Sequence, residues 1–144
     1  MIIPEDIEKE RSPKRSIRFK PPSDEPGTYE KDKLEELLRK YLKKEGIAPK
    51  HIKNILLSLC LKNPIVSRDM LKEELIKMNE ASEEGKAGII VAVISKEIGI
   101  ADRDYLRQII RYEKPNPWKK ENYRLVEKYK GMVEKILKEL NNPD

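Results

Sequence analysis

His51 and Cys60 are the only imidazole and the only thiol in the 144-residue chain, so thiol–imidazole or soft-metal chemistry would have to start from them. They stand nine positions apart in one predicted helix. That is about two and a half turns, beyond hydrogen-bond reach, so they do not make a Cys/His dyad. No further His or Cys is available for a zinc-type cluster. The six glycines are isolated from one another, which leaves no Gly-rich phosphate loop. Carboxylates are plentiful but interleave with Lys on predicted helix faces, as solvated charge does. The expectation is a binding protein without a catalytic site, cofactor or metal.

The residues that could do binding chemistry are cations. Arg103, Arg107 and Arg111 are spaced i, i+4 and i+8, one stripe on a helix, with Gln108 beside it and Lys114 continuing it. Such donors suit phosphates and base edges. The same stripe is also what a solvated helix face paired with Asp104 and Glu113 would show. A second cluster precedes it in the chain: residues 9 to 20 hold Lys9, Arg11, Lys14, Arg15, Arg18 and Lys20 against Glu10, a local +5 equal to the net charge of the whole protein. Ile17 and Phe19 lie between these cations, so the arm suits either a phosphate backbone or a protein surface. Trp118, the only Trp, is a candidate partner anchor or the cover of a core edge.

These residues need elements to position them. Residues 1 to 28 carry five of the ten prolines and little apolar periodicity, which predicts a flexible basic arm. Leu34, Leu37, Leu38, Tyr41 and Leu42 predict a helix stopped by Gly46, and a second helix begins near Pro49 and ends at Asn63-Pro64. Together they form a helical hairpin over residues 29 to 63. Ser67 is the predicted N-cap of a third helix through Met78. Residues 88 to 94 are apolar on every side and β-branched, compatible with strand or helix; Ile98 and Gly99 favour helix. A fifth helix is expected from about Asp102 to Glu113, broken by Pro115 and Pro117, and a last one through Val126 to Leu140.

The run Val93-Ile94-Ser95-Lys96-Glu97-Ile98-Gly99-Ile100-Ala101-Asp102-Arg103-Asp104-Tyr105-Leu106-Arg107-Gln108-Ile109-Ile110 resembles a helix-turn-helix. Ser95 is the small residue where two helices cross, Gly99 the residue tolerant of a left-handed turn, and Ile94, Ile98, Ile100, Tyr105 and Ile109 the apolar pins. With the polar stretch 114 to 126 in the place of a wing, residues 67 to 140 resemble the winged helix-turn-helix superfamily. The fold expected is therefore mainly α: an arm, a helical hairpin, and a winged helix-turn-helix-like unit over 64 to 144. The resemblance implies binding of double-stranded DNA, as a transcriptional or replication-associated regulator. The second helix would enter the major groove, with Arg103, Arg107, Gln108 and Arg111 as contacts. Lys114, Lys119, Lys120 and Arg124 would hold phosphates, as would Lys14, Arg15, Arg18 and Lys20 of the arm. Ala101 stands where such a helix usually has its Ser or Thr cap, so Asp102 would take that role.

Composition sets the outer bounds. The chain is 40% charged and 38% hydrophobic, with Lys and Glu dominant, a bias resembling that of proteins from hot environments. Its lone Cys, its charged start and the shortness of its longest apolar run, Ala87 to Ile94, fit a cytoplasmic protein with no membrane span. The rival to DNA binding is a non-enzymatic adaptor that docks a protein through the arm, with Ile17, Phe19 and Trp118 as anchors. A homodimer through the first hairpin suits either reading.

Overall fold

A computed structural model describes residues 22–117 and 119–141. The chain is mainly helical. It opens on an extended segment over 22–30 and continues as α1 (Lys31–Leu42). Next comes a nearly continuous helix made of α2 (Ile47–His51), a π turn (Ile52–Leu56) and α3 (Leu57–Lys62). Then follow α4 (Arg68–Lys77), α5 (Glu84–Ile98), a 3-10 turn (Ala101–Arg103), α6 (Asp104–Ile109), strands β1 (Ile110–Asn116) and β2 (Lys119–Leu125), a 3-10 turn (Glu127–Tyr129) and α7 (Lys130–Asn141).

The spacing of apolar residues explains the helices. Leu34, Leu38, Tyr41 and Leu42 put one face of α1 in the core, each such side chain contributing about 1.5–3 kcal/mol of burial. In the second helix Ile55, Leu56 and Leu57 are consecutive and all fully buried, which the wider π turn helps to accommodate. Gly46, at φ 135°, makes the bend between α1 and α2 that a side chain would strain. Ser67 caps α4, its Oγ accepting from Met70 N at 3.1 Å. Residues 88 to 94 lie wholly inside α5, whose buried side is Ala87, Val91, Ile94, Ser95 and Ile98.

One cluster of buried side chains draws on α1, the π turn, α3, α4, α5, α6, both strands and α7, from Leu34 to Leu137. Arg39 of α1 is bound to Glu139 of α7 at 3.0 Å. Tyr41 packs edge-on against Tyr105 of α6. β2 is the middle of a small antiparallel arrangement: it pairs with β1 on one side, and its Tyr123 bridges to Val66 on the other. Among the described residues no helix is long and apolar enough to cross a membrane.

Several sequence expectations need correction. The helix expected over 102 to 113 is only Asp104–Ile109, and the chain turns extended at Ile110. Pro115 disfavours helical geometry at Lys114, and pairing of Ile110 with Leu125 and of Arg111 with Arg124 carries the extended state back to the end of α6. The proline-rich stretch is thus half of a hairpin, with register shifts between Arg111 and Glu113 and between Glu113 and Asn116. β1 has no further partner on its outer side among the described residues, the position where a strand proline is tolerated. Gly99 is not left-handed, since its φ is −86°. Ile100 is 38% exposed rather than a core pin. No side-chain cap opens α6.

Residues 22–28, expected to belong to a flexible arm, are instead fixed in place. Residues 22–29 form a strap across α6 and the base of the hairpin. Ser23 N donates to Gly99 O and Gly27 N to Asp104 O, both at 2.9 Å. Gln108 then reads both sides of Tyr29 like a strand partner: its Oε1 accepts from Tyr29 N, and its Nε2 donates to Tyr29 O, each at 2.9 Å.

Candidate nucleic-acid interface

The arginine stripe does not form. Arg107 is 2% exposed. Its Nε donates to Glu25 O at 2.6 Å, its Nη1 to Ile98 O at 2.9 Å and Ile100 O at 2.7 Å, and its Nη2 to Ala101 O at 3.2 Å. These carbonyls include the C-terminal end of α5, where the helix dipole favours a cation. Arg107 therefore closes the α5–α6 corner and holds the strap, and it presents no stripe to solvent. Gln108 is committed to Tyr29 and to the hydroxyl of Tyr129. Arg103 turns back to Glu97 at 3.3 Å and stacks over Tyr41, 5.4 Å from the ring centre. Arg111 alone of the three arginines is exposed, and it belongs to β1.

The hairpin gathers the remaining cations. Lys114 of β1 meets Asp24 of the strap at 2.7 Å. Lys120 of β2 is half-buried beside Gly99 and lies over the Tyr112 ring, 5.5 Å from its centre. Burial lowers its pKa, Asp24 offsetting part of that effect. Lys119 is half-exposed and lies 3.8 Å from Glu121, and Arg124 is exposed. Lys14, Arg15, Ile17, Arg18, Phe19, Lys20 and Trp118 lie outside the described residues.

What the sequence reading missed is the outer face of α5. Gly85, Ile89, Ala92 and Lys96 fall at i, i+4, i+7 and i+11, a single stripe about 16 Å long, and all four are exposed. Ile89 is 66% exposed, the most open large apolar side chain described. Lys86 flanks the stripe on one side. On the other, the Lys72 side chain from α4 comes within 3.9 Å of where a Cβ on Gly88 would stand. A Cβ at Gly85 would meet nothing within 4 Å. The recurrence of Gly85 and Ala92 on the side opposite Ala87, Val91 and Ile94, with Gly88 on the flank toward α4, was the available signal. The uniformly apolar look of residues 88 to 94 concealed it.

This face and the hairpin are joined. Ser95 of α5 hydrogen-bonds the Tyr123 hydroxyl of β2 in the core, and Arg68 of α4 donates to Lys120 O at 3.3 Å. A Cβ on Gly99 would stand 2.9 Å from Lys120 Nζ, so Lys120 lies against the end of α5, one turn beyond Lys96. The strap fixes Ser23 to that same corner through Gly99 O. The result is a helix with a low-profile outer surface, lysines along both flanks, and a cationic hairpin at its end.

The two residues best suited to covalent chemistry are built into the core. His51 is 5% exposed, with Nδ1 2.9 Å from Ile47 O and Nε2 3.2 Å from Glu80. Burial pushes the Cys60 thiol up to about 12, far from the thiolate character that reactivity needs. No group of three metal-ligating side chains occurs among the described residues. Comparison with protein-family models, with curated proteins and with solved structures found no match.

Proposed function

We propose that the protein binds duplex DNA through the outer face of α5, with the β1–β2 hairpin and the basic arm gripping the adjoining phosphates. The observation that carries this reading is the union of the Gly85–Lys96 stripe with the hairpin lysines at Gly99. The major groove is about 12 Å wide and admits one helix. Small residues at 85, 88 and 92 let the α5 backbone sit deep, while Lys72, Lys86 and Lys96 reach the two phosphate walls. In this arrangement α4 and α5 are the helix pair, and the hairpin is the wing. That order is similar to a winged helix, displaced one helix earlier than the sequence suggested.

The outer face of α5 carries no Arg, Asn or Gln, the side chains that make bidentate base contacts. Ile89 and Ala92 offer apolar contact to thymine methyl groups and little else. Binding is therefore expected to be dominated by phosphate contacts, weakly selective in sequence and steeply dependent on salt.

The test is fluorescence anisotropy on a mixed-sequence duplex across a salt series. The native chain is expected to bind with Kd on the order of 10⁻⁴–10⁻⁶ M near physiological salt, as non-specific binders do. A Lys86→Ala/Lys96→Ala variant should lose affinity and flatten the log–log salt slope by ~0.9 for each phosphate contact removed. Feeble binding by the native chain, or a double variant that binds as well, would sink the proposal.

The exposed Ile89, with Ile76 at 37% and Met78 at 44%, supports a second reading in which a protein partner covers this region. That reading predicts a saturable complex lost with Ile89→Asp and insensitive to Lys86→Ala/Lys96→Ala.

A further inference from the structure

A cleft of about 170 Å³ at the strap–hairpin junction is lined by Arg107, Ile110, Arg111, Tyr112 and Lys114, with Asp24 in it. Asp24 is the acid of this cleft, and it is held as a bound anion would be. Its Oδ1 accepts from the Tyr112 hydroxyl at 2.6 Å, and its Oδ2 from Lys114 Nζ at 2.7 Å. Burial alone would raise its pKa, but the bonds to Lys114 and Tyr112 outweigh that and keep the carboxyl below its ordinary value. Lys120 adds a further favourable charge. Arg111 stands at the rim, bonded only weakly to Arg107 O at 3.4 Å.

Two donors converging on two oxygens of one anion, in a cationic pocket, is the arrangement that also receives a phosphodiester. Asp24 is 48% exposed and Lys114 31%. An ion pair this open is weak and exchangeable. We propose that the cleft between Tyr112, Lys114 and Arg111 is a phosphate seat that Asp24 occupies in the free protein and yields to a DNA backbone phosphate on binding. The strap thus acts as a competitive latch on the hairpin's own cations. It stays attached when the latch opens, because Ser23, Gly27 and Tyr29 hold it independently of Asp24. This inference rests on the DNA reading for the identity of the ligand, but not for the existence of the seat.

The experiment compares the full chain with Asp24→Asn and with Glu25→Gln. The amide introduced by Asp24→Asn has nearly the shape of the carboxylate and still accepts from Tyr112. Glu25→Gln removes the same formal charge one residue away, at an exposed residue whose main-chain carbonyl, not its carboxylate, accepts from Arg107. Binding of a mixed-sequence duplex is expected to tighten roughly fivefold in Asp24→Asn, with a steeper salt slope, and to change less than about twofold in Glu25→Gln. Equal effects in the two variants overturn the latch while leaving DNA binding intact. If no protein binds duplex, the DNA reading fails and titration with inorganic phosphate decides the seat separately. Tyr112 ring signals should then shift at millimolar phosphate in Asp24→Asn and hardly at all in the native chain. A Tyr112 that ignores phosphate in Asp24→Asn would rule the seat out.

Discussion

Arg107 is a rivet. Its guanidinium joins the last turn of α5, the 3-10 turn and the strap through four carbonyl oxygens. Removing it leaves those acceptors without their donor, Ile98 O in a buried position and the other three part-buried, at about 1–3 kcal/mol for each buried group left unsatisfied. Arg107→Ala is expected to destabilise the chain by roughly 3 kcal/mol or more in urea unfolding. Arg107→Lys should fall well short of rescue, since a point charge cannot replace the planar fork. A residue reading of the sequence could not find this role, because i, i+4, i+8 spacing says which side chains would align on a helix and not where the helix ends. Arg107 points inward on a helix of six residues, and Arg111 is already in a strand. Gln108, chosen as a base reader, is a strand-like partner for Tyr29 for the same reason: its amide satisfies a backbone rather than a groove.

Among the elements, α1 and α7 are tied by a charge cluster in which Arg39 contacts both Glu35 and Glu139, and Lys135 also reaches Glu35. The Arg39 guanidinium, joined at Glu35 by Lys135, holds both carboxyls below their ordinary values. The stability they contribute is therefore fully present above the unfolded Glu value of about 4.3 and is lost as pH falls through the lower folded values. Thermal melts are expected to show a midpoint falling below about pH 4 in the native chain. That fall should be shallower in Arg39→Ala, which starts from a lower midpoint. Identical pH profiles would mean that the cluster is only a surface decoration. Helix existence at this scale was readable from apolar spacing and caps: Ser67 does cap α4 and Asn63 does end the second helix, whereas the first helix stops at Leu42, short of Gly46, and the second starts at Ile47, ahead of Pro49. The boundary at Ile110 was not, because it depends on a ladder formed with residues fifteen positions further on. Non-local pairing overrides local pattern there.

For the whole molecule, the strap and the α5 face rest on the same cluster of buried side chains. Two truncations separate charge from fold. Removing residues 1–21 takes away the +5 cluster over residues 9 to 20 but leaves every strap hydrogen bond described. Its expected signature is weaker duplex binding with a flatter salt slope. Removing residues 1–29 also deletes the Tyr29–Gln108 and Gly27–Asp104 bonds, so its melting midpoint should drop as well. A shorter truncation that binds duplex as tightly as the full chain would show that the arm's cations do not reach phosphate. Overall charge and the lack of His or Cys pairs are the sequence features that point toward binding rather than catalysis. The face proposed for it was not legible there, because it is built from Gly, Ala and Ile, residues whose outward placement only the packing of Val91, Ile94 and Ile98 reveals.

Gly99 sets folding against the proposed recognition of DNA at a single position. Its φ of −86° is one that alanine adopts freely, so Gly99→Ala should stabilise the chain by about 0.4–1 kcal/mol through a less floppy unfolded state. The new methyl would stand 2.9 Å from Lys120 Nζ and turn that ammonium away from the end of α5. A higher melting midpoint with weaker duplex binding is the expected pair of results, and either change without the other would contradict it. A lineage selected for thermal robustness alone would drift toward alanine here; one kept on DNA would retain the glycine and accept the lost stability.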